Sequence, residues 1–268
     1  MFRTRLISGA AILALTIFCI LAGGYILFAY VAVMTLIGVW ELYKACGIEK
    51  TLPDVAGYAG ACVFEISLLL PLENAPLMAA ALGVLLVMAS YVYTFPKYKA
   101  EQIFGAVAGI AYVTVLLSFV YQVRVMDDGL YLAPLIYICA WGNDTCAYLV
   151  GRAIGKHKMS PILSPKKSIE GLFGGIAGAA LLGLIYGTIL GKSLPSLTYP
   201  GISCLVIGAV GALLAVVGDL AASAIKRDTG IKDYGWLIPG HGGVLDRFDS
   251  ILFTAPAVFI LASILAKL

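Results

Sequence analysis

The chain has 268 residues, 61% hydrophobic and 12% charged, with a mean hydropathy of +0.98 and a formal net charge of +3. A soluble domain is about a quarter charged, so this chain has too few charges to cover a water-facing surface. A soluble globular protein is excluded, and with no strand-length alternation so is an outer-membrane barrel, which leaves a polytopic membrane protein built from helices.

Arg3 and Arg5 open a long apolar run that predicts helix 1 over residues 1–22. No A-x-A cleavage site follows, the run leads straight into another, and Thr16-Ile17-Phe18 before Cys19 makes a poor lipoprotein site, so a membrane helix is expected rather than a signal peptide. Gly23-Gly24 allows a turn into helix 2, over 25–45. It ends in Trp40-Glu41-Leu42-Tyr43-Lys44, an aromatic and charged cluster suited to a membrane interface. Helix 3 is expected over 55–71; its Glu65 lies at the end away from the polar loops and is assigned a structural role. Helix 4 covers 76–95 and stops at Pro96; helix 5 covers 103–122; helix 6 covers 131–151 and holds the polar patch Trp141-Gly142-Asn143-Asp144-Thr145. The longest basic loop follows, with Arg152, Lys156, Lys158, Lys166 and Lys167. Helix 7 spans 171–191 with glycines every fourth residue, a stripe that permits close contact within the bundle or across a dimer. Helix 8 covers 201–227 and helix 9 covers 249–267, which makes about nine transmembrane helices. The six cysteines form no C-x-x-C pair and are read as small apolar packing residues.

With nine crossings, fifteen of the eighteen lysines and arginines fall on the N-terminal side, and only Arg124, Lys192 and Lys267 on the other. The positive-inside rule then places the N-terminus and the rich loops in the cytoplasm. Residues 1–268 are expected to form a single transmembrane domain, with 1–130 for packing and dimer support and 131–268 for catalysis.

The chemistry concentrates between Val217 and Asp249. Asp219 sits in an apolar helix, and Ser223, Lys226 and Arg227 follow at helical spacings that share its face. A polar loop leads to His241-Gly242-Gly243 and then to Asp246, Arg247 and Asp249. Counting back from the basic helix ends puts Asp144 and Asp219 both roughly 10–12 Å below one surface, and Asp246 and Asp249 are expected to open helix 9 from it. Four acids in one leaflet, each costly to bury alone, suit a shared divalent metal, and hard oxygen ligands favour Mg²⁺. No H-E-x-x-H or Cys/His cluster points to zinc. Pairing of each acid with a lysine or arginine is the alternative. Lys166 and Lys167 are phosphate ligands or ordinary positive-inside residues; Ser168, with Glu170 nearby, is a phosphate contact or a helix cap. His241 is assigned a phosphate-binding or structural role, with Gly240, Gly242 and Gly243 letting the backbone approach a ligand closely.

The run S-A-I-K-R-D-T-G-I-K-D-Y-G-W-L-I-P-G-H-G-G-V-L-D-R-F-D, over residues 223–249, closely resembles the signature of phosphatidate cytidylyltransferases, also called CDP-diacylglycerol synthases. N-D-T-C-A-Y at 143–148 and S-P-K-K-S-I-E-G at 164–171 look like further motifs of that family, with a weaker echo in W-E-L-Y-K; Cys146 stands where a smaller residue is expected. The resemblance implies transfer of a cytidylyl group from CTP to phosphatidate at the cytoplasmic face of the cell inner membrane, releasing pyrophosphate. It also implies Mg²⁺ as cofactor, membrane lipids and a second copy of the chain as partners, and no nucleic acid. Asp219 and Asp246 are then the first metal ligands, with Asp144 and Asp249 next. Lys226, Arg227, Lys167 and Arg247 hold phosphates, and Lys166, Ser223, His241, Gly242 and Gly243 contact substrate. A transporter would also place acids near basic groups, but paired broken helices are missing; the D-G-x-x-A-R pattern of CDP-alcohol phosphotransferases is missing too.

Overall fold

Backbone in hydrocarbon must satisfy its own hydrogen bonds, so long apolar runs become helices. The computed structural model describes residues 2–240 and 242–266, with residues 2–6 described by backbone alone; His241 lies outside the described residues. The elements are α1 (Phe2–Ala22), α2 (Gly24–Ala45), α3 (Leu52–Ser67), α4 (Ala75–Thr94), α5 (Ala100–Val125) and α6 (129–154). There follow the strands β1 (Lys158–Ser160) and β2 (Ser164–Ser168), then α7 (Ile169–Ile189), α8 (Pro200–Asp228), the single-turn α9 (Leu245–Phe248) and α10 (Ile251–Leu265). Among the described residues, α2, α4, α5, α7 and α8 are each long and apolar enough to cross a membrane, and Ile7–Ala22 and Ile251–Leu265 are shorter apolar helices. The protein is therefore a helical, multi-pass membrane protein.

Three local outcomes differ from the sequence reading. Helix 3 ends at Ser67, not near 71. The basic loop is folded: β1 and β2 pair antiparallel, with Lys158 opposite Ser168 and Ser160 opposite Ser164. The last helix starts at Ile251, after a turn at 249–250, and Asp246 rides on the separate turn α9. A further feature is a π-helical segment in each of α5 (Gly109–Val115) and α6 (Ile138–Gly142). In α6 it follows Pro134, whose missing N–H already breaks the regular ladder, and it ends directly before Asn143 and Asp144.

The described residues form two compact units of interleaved segments, one drawn from 1–15, 25–118 and 229–247 and the other from 16–24, 119–228 and 248–268. The segment 229–247 belongs to the same unit as the N-terminal helices of 25–118. In the first unit Tyr43, fully buried, donates its hydroxyl to Ala106 O (2.7 Å), and its ring fills the space left by Gly57 of α3 and Gly109 of α5. In the second, α7 packs against α6 and α8, and α8 against α10. The glycine stripe of α7 works inside this unit. Gly175 lies against Asn143, Gly178 against Cys146, and Gly183 and Gly187 against the backbone carbonyls of Cys204 and Pro200. Arg124 Nε donates to Ile20 O (2.8 Å), closing the end of α1 in the same unit.

Candidate active site

Among the described residues, each unit carries a polar centre. In the second unit, a cleft of about 420 Å³ is lined by Asn143, Asp144, Ala147, Tyr148, Gly151 and Arg152 from α6, by Met159 from β1, and by Lys166, Lys167 and Ser168 from β2. Gly171 and Leu172 of α7 and Val216 and Asp219 of α8 complete it. The α6 residues recur at three- and four-residue intervals, so one helix face supplies an acid, a phenol and a guanidinium in successive turns. The hairpin delivers the lysines: Lys167 Nζ pairs with Asp219 Oδ2, their side chains 28% and 26% exposed. Both side chains are partly exposed, while the paired oxygen, Asp219 Oδ2, is itself buried. Ser168 caps α7, its hydroxyl accepting from Gly171 N (3.1 Å), so the helix-cap role holds for it while it also borders the cleft. Glu170 accepts from Lys156 N (3.1 Å) and His157 N (3.2 Å) and meets His157 Nδ1 at 2.6 Å, which ties the approach to the hairpin onto α7.

Asn143 is 1% exposed, and neither its Oδ1 nor its Nδ2 has a hydrogen-bond partner among the described residues. A buried amide is costly to leave unmade. Asn143 borders the cleft, and its Oδ1 lies against Gly175 of α7.

In the first unit, Lys232, Asp233, Gly235, Trp236, Ile238, Gly240, Gly242 and Arg247 line an open hollow of about 570 Å³. Beneath it the chain's own carboxylates hold the loop. Asp246 Oδ2 accepts from Tyr234 N (2.8 Å) and Gly243 N (2.9 Å); Glu41, fully buried on α2, accepts from Val244 N (2.9 Å) and Leu245 N (2.8 Å). Gly242 has φ +89, and a side chain there would also strike Asp246 Oδ2; one at Gly243 or Gly235 would strike the Glu41 carboxylate. The glycines allow close approach, as the sequence suggested, but what approaches them here is a carboxylate of the protein itself. Ser8 Oγ, from α1, donates to Pro239 O (3.0 Å), and Ile238 and Gly242 form a bridge across the loop.

The predicted residues fall in both units. Asp144, Asp219, Lys166 and Lys167 meet in the cleft; Asp246, Gly242, Gly243 and Arg247 belong to the loop of the first unit. Asp249 is buried in the turn after α9, its Oδ1 accepting from Ser250 N (2.7 Å), and is not among the residues lining the cleft. Nor are Ser223, Lys226 and Arg227. The last two occupy the final turn of α8, where cations also complement the helix dipole. Within either unit, no group of three or more described His, Cys, Asp or Glu side chains is arranged to hold a metal ion. Sequence reasoning did not single out Arg152, Tyr148 and Asn143 as site residues, although their spacing from Asp144 was a usable signal. It also missed Glu41, whose place in an interfacial cluster gave no sign of a buried role.

The chain matches the cytidylyltransferase family over residues 3–265. Among curated relatives, the phosphatidate cytidylyltransferase of Staphylococcus aureus (strain COL) is 32% identical over 259 residues, covering 94% of this chain and 96% of the relative. That of Staphylococcus epidermidis is 32% identical over 258 residues, and that of Staphylococcus saprophyticus subsp. saprophyticus 30% over 260, each with the same coverage.

Proposed function

Because the chain belongs to the cytidylyltransferase family, we propose that it transfers the cytidylyl group of CTP to phosphatidate, giving CDP-diacylglycerol and pyrophosphate. The observation that carries this reading is the cleft of the second unit. It sets Arg152, Lys166 and Lys167 beside Asp144 and Asp219 and backs them with Met159, Leu172 and Val216. Cations over an apolar wall suit a phosphate monoester attached to acyl chains.

In the reaction, a phosphate oxygen of phosphatidate attacks the α-phosphorus of CTP, and the bond from that phosphorus to the bridging oxygen breaks as pyrophosphate leaves. The attacking phosphate is already anionic near neutral pH, so no strong base is needed. Positioning and neutralisation of charge are what the protein must supply. Lys166, Lys167 and Arg152 hold the phosphates, and Asn143 offers its unpartnered amide. Asp144 and Asp219 are hard oxygen donors lining one cleft, which fits Mg²⁺ completed by phosphate oxygens and water, the usual mode for that ion. Bound there, Mg²⁺ would neutralise developing phosphate charge. Asp246 and Asp249 remain in the proposed ligand set, and Lys226, Arg227, Ser223, His241, Gly242, Gly243 and Arg247 among the proposed phosphate and substrate contacts, on the resemblance alone. The asymmetry of lysine and arginine supports a cytoplasmic-facing site in the inner membrane, where CTP is available. Membrane lipids and a second copy of the chain complete the proposed partners.

The test is pyrophosphate release by the purified, detergent-solubilised protein given CTP and phosphatidate, with Mg²⁺ and with a chelator. Metal-dependent release accompanied by a CDP-lipid product is expected. Folded protein in native-like lipid that releases none would overturn the reading.

A further inference from the structure

Glu41 carries no assigned role, yet it is the most completely enclosed acid of the first unit, 0% exposed on the last turns of α2. Removing a carboxylate from water is expensive unless hydrogen bonds replace the lost solvation. Here both oxygens are used, Oε1 by Val244 N and Oε2 by Leu245 N, at 2.9 and 2.8 Å. Those two N–H groups lead straight into Asp246 and Arg247. The surrounding backbone is shaped to the carboxylate, because a side chain at Gly235 or Gly243 would occupy its place. Asp246 then continues the same arrangement by accepting from Gly243 N and Tyr234 N. A helix residue some two hundred positions earlier in the chain thus sets the backbone that presents Asp246 and Arg247.

We propose that Glu41 is a positioning residue: its carboxylate clasps the backbone N–H groups of residues 244 and 245 and so fixes where Asp246 and Arg247 stand. It acts through those two residues and touches neither substrate. The catalytic half of this inference rests on the function proposed above; the clasp itself does not.

The charge and the length of Glu41 both matter. Glutamine keeps the shape but turns an N–H₂ toward a backbone N–H, so one of the two bonds is replaced by a donor facing a donor. Aspartate keeps the charge but is one methylene short. The experiment compares wild type, Glu41→Gln, Glu41→Asp and, as a control, Glu49→Gln, an exposed acid in the following loop. Hydrogen exchange by mass spectrometry on a peptide covering residues 242–248 is measured without substrate, alongside turnover and a melting curve. In Glu41→Gln the amides of Val244 and Leu245 should exchange at least about 10-fold faster, in line with loss of a buried charge-assisted bond. A peptide from the middle of α2 should stay protected, and kcat of the folded protein should fall about 10-fold or more. Glu41→Asp should lie between, and Glu49→Gln should match wild type. Unchanged exchange at 244 and 245 would overturn the clasp. Faster exchange with undiminished kcat, or a loss confined to melting temperature, would overturn the positioning role. If Glu41→Gln gives no folded protein, Gly243→Ala, which sets a methyl against the carboxylate, carries the same expectations. Wild-type protein that makes no CDP-lipid would sink the proposed reaction, while the exchange arm would still decide the clasp.

Discussion

The two polar centres use the same residue types for opposite purposes. In the first unit the acids face the protein's own backbone: four N–H groups converge on Glu41 and Asp246, and glycines bring the chain close enough for this. In the second unit the acids face side-chain cations and open space: Asp219 meets Lys167 at the edge of a cleft whose wall also carries Arg152, Lys166 and an unpartnered Asn143. A carboxylate bound by buried backbone is fixed in place. One paired with a partly exposed lysine can trade that partner for a ligand. The comparison teaches that an acid in a membrane protein is not by itself a sign of metal binding; what its oxygens already hold decides how readily it can serve.

The comparison is broken or upheld most directly by Asp219→Asn against Asp246→Asn. Asp219→Asn should cost about 100-fold or more in kcat, the scale seen when a group that stabilises transition-state charge is removed. Its melting temperature should stay close to wild type, because its partner Lys167 is 28% exposed and can turn to solvent when the pair is lost. Asp246→Asn should lose activity and some stability together: Tyr234 N and Gly243 N both donate to Oδ2, so an amide oxygen placed there keeps both bonds, but a neutral oxygen accepts more weakly from two buried donors, at about 1–3 kcal/mol. Pyrophosphate release and melting curves on both variants decide the matter. A stable Asp246→Asn beside an unstable Asp219→Asn would reverse the assignment.

A smaller effect is expected at Lys167. Replacement by Met keeps length and apolar stem but removes the cation, and a hydrogen bond to a charged group is worth about 1.5–3 kcal/mol. Turnover efficiency should drop roughly 10- to 100-fold, mainly through KM for the phosphate-bearing substrates. Lys167→Met with an unchanged KM for both CTP and phosphatidate would remove the hairpin from the site.

Much of this was legible in the sequence, and the parts that were not share a cause. Apolar runs of membrane length located the helices to within a few residues, because hydrocarbon allows few other backbone states. The cleft was half legible: the spacing of Asp144 and Asp219 from basic helix ends and the Lys166-Lys167 pair pointed to one place. The hairpin that delivers those lysines was not foreseen, since a short run with two prolines and many charges shows no strand alternation. The carboxylate packed against the glycine-rich loop was not foreseen for a different reason. Gly242 and Gly243 signal close approach, but a single sequence does not say what approaches, and the partner, Glu41, lies some two hundred residues away. The same limit applies to Asp246, which local spacing joined to Asp249 in one helix start and which tertiary hydrogen bonds place on a turn of its own.

Arg227 tests the weakest link of the sequence reading. It lies on the face of Asp219 by helical spacing, and the family resemblance made it a phosphate candidate. Yet α8 runs on for two further turns beyond Asp219, and the cleft takes only Val216 and Asp219 from it. Arg227 is exposed in the last turn, where a cation complements the helix dipole by about 0.3–1 kcal/mol. Arg227→Ala should therefore change kcat/KM by less than about 3-fold if the dipole is all it serves. A loss of 100-fold or more with an unchanged melting curve would mean that the cleft of the second unit is only part of the site, and that the end of α8 reaches the substrate as the sequence motif implies.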